Sequence, residues 1–293
     1  MNYNDKPKCI LLIGIPGAGK STYAKEYIDT HVNTIHLSSD AIRKELYGDE
    51  SIQGDPSEVF SLMQKRAVEA LNNGYDVIYD ATNMTRKDRA NIISLCPKFV
   101  QIEAHIIWAP IETCVERDAS RDRTVGKEVI DKMLKRFQAV YYDEGINEIK
   151  IVLPQDFKQS NYHHDVLRAM NIPHDNPHHT LNIFDHCMAA FDWIHAQTDD
   201  VEMMLAALWH DIGKSYTKAF IDNKGNPCEH AHYYQHQSVG SYLSYGMCNT
   251  TPYIAWLIST HMDPYFNTKY YNNLPPFLKR NVDLLHQADL TAH

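Results

Sequence analysis

The stretch Gly14-Ile15-Pro16-Gly17-Ala18-Gly19-Lys20-Ser21 decides the fold of the first half of the chain. It follows an apolar run, Lys8–Ile15, that predicts a strand, and it precedes Ser21–Asp29, whose spacing predicts a helix. Strand, glycine-rich turn and helix in that order make a P-loop of the Walker A type. Glycines let backbone N–H groups curl around phosphate oxygens, and the helix N-terminus adds a favourable dipole. Lys20 is then expected to reach the β- and γ-phosphates of ATP, and the Ser21 hydroxyl to hold Mg2+. Gly14, Gly17, Ala18, Gly19 and Thr22 complete the expected cradle.

Outward from this loop, strand patterns at Thr34–Leu37, Asp76–Tyr79, Phe99–Trp108 and Glu148–Val152 alternate with helical ones. The helical patterns are Asp40–Tyr47, Glu58–Asn72, Arg86–Leu95, Ile111–Asp118 and Lys127–Tyr142. Such alternation predicts an α/β domain, a mainly parallel sheet with helices on both faces. After about Leu153 the strand signals stop and Pro154, Pro173 and Pro177 punctuate the chain. Amphipathic stretches follow at Leu181–Ala196, Val201–His210, Tyr234–Tyr245, Pro252–His261 and Pro276–Leu290, so the second half reads as an all-helical bundle. The expected domains are residues 1–158 and 159–293.

Composition separates the halves further. Residues 1–158 hold 21 Lys+Arg against 24 Asp+Glu, and residues 159–293 hold 7 against 13. Of 17 histidines, 14 lie in the second segment. Basic side chains suit phosphate binding, whereas His and Asp together suit a metal centre. A net charge of −9 excludes a general electrostatic grip on nucleic acid, so any polyanion must be held locally. The six scattered cysteines form no CxxC pair, no apolar run is long enough to span a bilayer, and the first residues lack a secretion pattern. A cytoplasmic protein with no membrane association is expected.

A P-loop indicates a nucleoside triphosphate, not yet a kinase. Three features favour a kinase. Asp40 follows the second strand, with Arg43 three residues on, on the same helix face. There it accepts a proton from an attacking hydroxyl, or caps the next helix, or both. Asp80, ending the third strand before Ala81-Thr82-Asn83, falls where a Walker B acid faces Mg2+. Arg117 and Arg121, one helical turn apart, form either a lid over a triphosphate or a solvated charged face.

GxPGxGKST, SxDxxR, DATNxxxxxR and RxxxR in this order, over about residues 8–145, resemble the 5′-hydroxyl polynucleotide kinase family. The resemblance implies that Asp40 is the general base toward a 5′-OH and that Arg43 engages the substrate phosphate. It implies ATP-phosphate contacts for Arg117 and Arg121, and assigns nothing to Arg123.

In the second half, His210-Asp211 ends a predicted helix and runs into Ile212-Gly213-Lys214. His186 lies on the preceding helix, His236 and His261 on following ones, and Asp289 on the last. One ligand per helix converging on a bundle interior is a workable metal geometry, and mixed N/O donors favour Mn, Fe, Co, Ni or Zn over Ca. His236 and His261 read equally well as ordinary core or surface histidines. His163, His164, His174, His195, His230 and His293 read as surface or linker residues, and His178 and His232 carry no assignment.

Over about residues 172–293 this set resembles the HD phosphohydrolase superfamily. The resemblance implies a first metal on His186, His210, Asp211 and Asp289, with His236 and His261 supporting a second metal or binding phosphate. One or two ions such as Mn2+, Ni2+, Co2+, Fe2+ or Zn2+ are implied. Lys214 resembles a phosphate-contacting lysine, and His179, seven residues before His186, is expected to bind phosphate or protonate the leaving group.

Together the halves suggest an end-healing enzyme acting on RNA or DNA ends with 5′-OH and 3′-phosphate termini. It would phosphorylate the 5′-OH, clear a 3′-phosphate or 2′,3′-cyclic phosphate, and pass its products to a polynucleotide ligase. Two alternatives stand beside it. One is a nucleoside or nucleotide kinase fused to a nucleotidase or cyclic phosphodiesterase. The other is a kinase carrying a catalytically silent, nucleotide-sensing HD module.

Overall fold

The first strand, Lys-Cys-Ile-Leu-Leu-Ile, has no polar alternation, and every residue after Lys8 is buried. A strand like this belongs at the centre of a sheet covered on both faces. The computed structural model, which describes residues 6–121, 123–177 and 180–292, places it there. The chain divides into two compact units, one reaching Met133 and resuming over Val140–Gln155, the other made of Leu134–Ala139 and everything from Asp156 onward.

The first unit runs β1 (Lys8–Ile13), α1 (Lys20–Thr30), β2 (Thr34–Ser38), α2 (Ser39–Tyr47), α3 (Pro56–Asn72), β3 (Asp76–Asp80), α4 (Arg86–Ile93), β4 (Gln101–Ile107), α5 (Ile111–Ala119), α6 (Lys127–Leu134) and β5 (Glu148–Val152). Its five strands are parallel, in the order β2-β3-β1-β4-β5. Asp80 is in register with both Leu12 of β1 and Ser38 of β2. The carboxyl ends of the three strands therefore open on one rim, where ligands bind in open α/β sheets.

α6 is shorter than the helix expected over Lys127–Tyr142 because burial overrides helix propensity. Phe137 and Ala139 are buried in the second unit, where the Phe137 ring meets Tyr242 and Tyr245 edge-on and the Ala139 N–H donates to Ser259 Oγ.

Under α1, β4 carries a buried ionic network. Lys8 Nζ and His105 Nε2 lie 2.7 and 3.0 Å from the Glu103 carboxylate, Lys150 Nζ lies 3.4 Å away, and His105 Nδ1 pairs with the Tyr23 hydroxyl at 2.8 Å. Burial alone would raise the Glu103 carboxyl, but hydrogen bonds from His105 and Lys8 hold it at about 2. A depressed carboxyl stabilises the fold above its ordinary value near 4.5, and that contribution disappears as pH falls toward 2. Glu103→Gln is thus expected to lower stability at neutral pH by no more than about 3 kcal/mol. Urea melts of the two proteins should converge in acid; a gap independent of pH would show that the charge contributes nothing.

The second unit holds α7 (Gln159–Ala169), α8 (Ile183–His195), α9 (Val201–Trp209), α10 (Lys214–Thr217), β6 (Ala219–Ile221), β7 (Pro227–His232), α11 (His236–Ser244), α12 (Pro252–Thr260), α13 (Asp263–Phe266), α14 (Thr268–Asn272) and α15 (Pro276–Thr291). α8 packs on α9 and α15, and α12 packs on α9 and α11. The unit departs from the sequence expectation in several places. α7 lies between Pro154 and Pro173, in a stretch that carried no helical expectation, yet Tyr162, Val166, Leu167 and Met170 line its less exposed face. β6 and β7 make an antiparallel hairpin in a half read as all-helical. Its turn is set by Asp222, whose Oδ1 accepts from the N–H groups of Lys224 and Asn226 at 2.8 Å each.

Candidate active sites

The first candidate site surrounds the loop between β1 and α1. Gly17 has a left-handed backbone, φ 82°, and a Cβ there would lie 2.2 Å from the Cys114 carbonyl oxygen, so only glycine fits. The loop folds back on Lys20, whose Nζ donates to the carbonyls of Gly14 and Ile15 at 2.8 and 3.1 Å. Burial is the main influence on that amine and lowers it; Asp80 and Asp40 pull it up, while Arg121 pushes it down.

Asp80 Oδ2 accepts from Ser21 Oγ at 3.2 Å and pairs with His36 Nε2 at 3.0 Å. Asp40 Oδ1 takes two guanidinium contacts, Arg43 at 2.8 Å and Arg123 at 3.2 Å. Arg117 reaches the Gly17 carbonyl at 3.4 Å. Thr22 is exposed on the first turn of α1. By contrast, the buried Arg89 is structural: it forks onto Glu144 at 2.7 and 2.8 Å and donates to the Asn83 carbonyl.

The second candidate site lies inside the helical unit. His186 projects from α8, His210 caps the end of α9, Asp211 opens the turn into α10, and Asp289 comes from α15. Ligand atoms of these four lie within 4.8 Å of one another, and so do those of Asp211, His236 and His261. Asp211 belongs to both groups. Its Oδ2 is 3.5 and 3.4 Å from His186 and His210 Nε2, and its Oδ1 is 3.2 Å from His236 Nε2. Gly213 makes the sharing possible, since a Cβ there would sit 2.0 Å from the His236 carbonyl oxygen at the start of α11.

Each of the four imidazoles is held from behind. The Nδ1 atoms of His186, His210, His236 and His261 face the carbonyls of Ala292, Ala207, Tyr233 and Ile258 at 2.7, 2.7, 3.0 and 2.7 Å. A carbonyl only accepts, so each Nδ1 carries the proton and each Nε2 offers a lone pair, as metal-ligating histidines do. Those lone pairs meet in two couples, His186–His210 at 3.2 Å and His236–His261 at 3.3 Å. Such couples repel unless a proton or a cation lies between them. Burial works against charge on His210, yet Asp211 beside it raises it well above the ordinary value, so a proton can stand in for the ion. Burial would raise the Asp211 carboxyl, and Lys214 and His210 outweigh that and keep it well below the carboxylate range. Burial and the neighbouring His236 push His261 down to about 3, which leaves it neutral. The donor set fits divalent ions of the first transition series.

Residues 9–140 match the family model for an AAA domain, and residues 178–288 match the model for an HD domain. The chain joins a P-loop kinase domain of the AAA type to an HD domain. Over 154 residues it is 27% identical to Transcription factor bHLH140 of Arabidopsis thaliana, covering 50% of this chain and 16% of that protein. Over 142 residues it is 31% identical to L-seryl-tRNA(Sec) kinase of Methanococcus maripaludis, covering 44% of this chain and 51% of that protein. The chain thus spans about half or less of these curated relatives. Among solved structures, a chain of the Pnkp1/Rnl/Hen1 RNA repair complex is 26% identical, with a TM-score of 0.41, covering 46% of this chain and 45% of that one.

Two expectations for the kinase domain change. Asp40 does not cap α2: Ser38 does, its side chain accepting from the Ala41 N–H, and Asp40 sits in the first turn. Arg121 is not on the same helix as Arg117, because α5 ends at Ala119 and the buried Asp118 turns the chain by accepting from the N–H groups of Val125 and Gly126. In the HD domain, His186, His210, Asp211 and Asp289 come together, His236 and His261 join them through Asp211, and Lys214 Nζ lies 2.5 Å from Asp211 Oδ2. His179 lies outside the described residues, as do His178 and His293.

Sequence reasoning missed His174, which looked like a linker residue beside Pro173 and Asp175. It is 1% exposed, its Nδ1 faces the Leu181 carbonyl at 2.8 Å, and its Nε2 is 3.4 Å from Lys214 Nζ. Burial pushes it down to about 4. No spacing rule marks it, since it is brought in by a bridge between Pro173 and Asn182.

Proposed function

We propose that the chain heals broken polynucleotide ends, its kinase domain phosphorylating a 5′-OH from ATP and its HD domain removing a 3′-phosphate or 2′,3′-cyclic phosphate. The observation that carries the kinase half is Asp40 at the phosphate-binding rim, with two arginines on one carboxylate oxygen. That arrangement presents the other oxygen to an incoming hydroxyl, from which Asp40 takes the proton. Lys20, Arg117 and Arg121 bind the triphosphate, and Ser21 and Asp80 would hold Mg2+, which neutralises developing phosphate charge. The likeness to a kinase named for a seryl-tRNA supports an acceptor hydroxyl carried on RNA.

In the HD domain, His186, His210, Asp211 and Asp289 would hold one divalent ion, and His236 and His261 a second across the shared Asp211. A pair of ions supplies a clamp on the attacking and leaving oxygens of a phosphoester. Lys214 binds the phosphate, and His174, donating Nδ1–H to Leu181, accepts from Lys214 and orients it. The products, a 5′-phosphate and a 3′-OH, are what a polynucleotide ligase joins.

The test is incubation with oligonucleotides bearing 5′-OH, 3′-phosphate or 2′,3′-cyclic phosphate, with Mg2+, Mn2+, Ni2+, Co2+ and Zn2+ in turn, reading both ends. Magnesium-dependent 5′ transfer and metal-dependent 3′ clearing are expected, with the second lost on chelation. Transfer to free nucleosides but not to oligonucleotides would replace this reading with a metabolic kinase. Failure to turn over any phosphoester in the presence of bound metal would make the HD domain a silent sensor.

A further inference from the structure

The segment after His261 is built unlike the rest of the HD domain. Tyr265 and Phe266 follow within five residues, side by side with ring centroids 6.3 Å apart, and are 55% and 75% exposed. Two adjacent aromatics left in water need a reason, because burying them would favour the fold.

Their place is informative. α13 and α14 lie along one flank of α15. The Tyr271 hydroxyl donates to Asp283, Lys279 Nζ donates to Asn272 Oδ1 at 3.4 Å, and the Tyr265 ring stands edge-on to His286 at 4.7 Å. Going along α15, the contacts run from Lys279 to His286, and three residues further, about 5 Å of helix rise, comes Asp289 of the His/Asp cluster. Tyr265, with Phe266 beside it, therefore meets α15 about one helical turn before Asp289.

Charge points the same way. Residues 159–293 contain seven Lys and Arg against thirteen Asp and Glu, yet Lys269, Lys279 and Arg280 fall within twelve positions of this segment. Lys279 also sits over the Tyr271 ring, 4.4 Å from its centroid. In a domain of net negative charge, exposed aromatics close in sequence to basic residues suit a single nucleic-acid strand, whose bases stack while its phosphates are neutralised locally.

We infer that Tyr265 and Phe266, with Lys269 three residues beyond Phe266 in the chain, form a stacking ledge for the nucleotides next to the terminal phosphate of a single strand entering the HD site. This deepens the end-healing reading and rests on it. The ledge selects polynucleotide ends over mononucleotides through contacts away from the reacting phosphate.

The test compares wild type with Phe266→Ala and Tyr265→Ala, using single-stranded 3′-phosphorylated RNA as a mononucleotide, a dinucleotide and a hexanucleotide. Hydrolysis kinetics are read together with fluorescence-anisotropy binding of the labelled hexanucleotide. For each variant, KM and Kd for the hexanucleotide should rise about tenfold with kcat and mononucleotide turnover unchanged. The same length dependence in variant and wild type would overturn the ledge, as would a change in oligomeric mass with binding intact, which would make the patch a contact between protein copies. If no phosphoester is hydrolysed by any of the proteins, the end-healing reading fails, while anisotropy still judges the ledge: equal hexanucleotide binding rejects it and a tenfold loss retains it.

Discussion

Asp211→Asn is expected to remove phosphoester hydrolysis almost completely, by roughly a thousandfold or more, while leaving 5′ phosphorylation intact. The carboxylate stands between both histidine couples and beside Lys214, so one substitution withdraws negative charge from every part of the cluster. An amide of the same shape keeps the packing but lacks the negative charge that would hold divalent ions there. Metal-assisted stabilisation of a phosphoryl transition state is worth several kcal/mol, and about 4 kcal/mol corresponds to the expected loss. Metal content by mass spectrometry should fall with activity. Because each Nε2 couple relies on a cation or a proton between its members, the variant should also shift the pH at which the domain unfolds. Unchanged metal content and hydrolysis would remove the shared-carboxylate reading, and retained kinase activity serves as the control for folding.

Asp40→Asn and Lys20→Ala should both abolish 5′ phosphorylation, through different losses. Asparagine preserves an oxygen for Arg43 and Arg123 but takes up no proton, so kcat should fall by roughly a hundred- to ten-thousandfold with ATP binding little changed. Lys20→Ala removes the cation that the loop carbonyls of Gly14 and Ile15 hold in place, and should weaken nucleotide binding along with turnover, by about a hundred- to a thousandfold in kcat. Nucleotide affinity measured by calorimetry separates them. If Asp40→Asn transfers phosphate at the wild-type rate, another group is the base. Neither variant should disturb hydrolysis at the HD domain.

The phosphate loop was legible in the sequence because it is local: strand, glycines and helix are contiguous, and each constrains the next. The histidines and aspartates of the cluster could be picked out because they recur one per helix. What stayed hidden depends on close approach between segments far apart in the chain. That Asp211 faces both couples follows from how nearly α11 touches the turn at Gly213, which no spacing encodes. His174 was hidden by its loop, and Arg123 by the turn that Asp118 imposes after α5. The end of α6 was misread because helix propensity continues past Leu134, whereas Phe137 gains more by entering another core.

That last excursion decides how the two chemistries can be taken apart. A cut near residue 158, where punctuation invites one, would leave Leu134–Ala139 attached to the kinase fragment. The HD fragment would then lack the ring that covers Tyr242 and Tyr245, and the hydroxyl of Ser259 would lose the backbone donor it meets in the whole chain. The halves are interleaved as polymer even though each surrounds its own chemistry, so separate inheritance or recombination of either would carry away a piece of the other's interior.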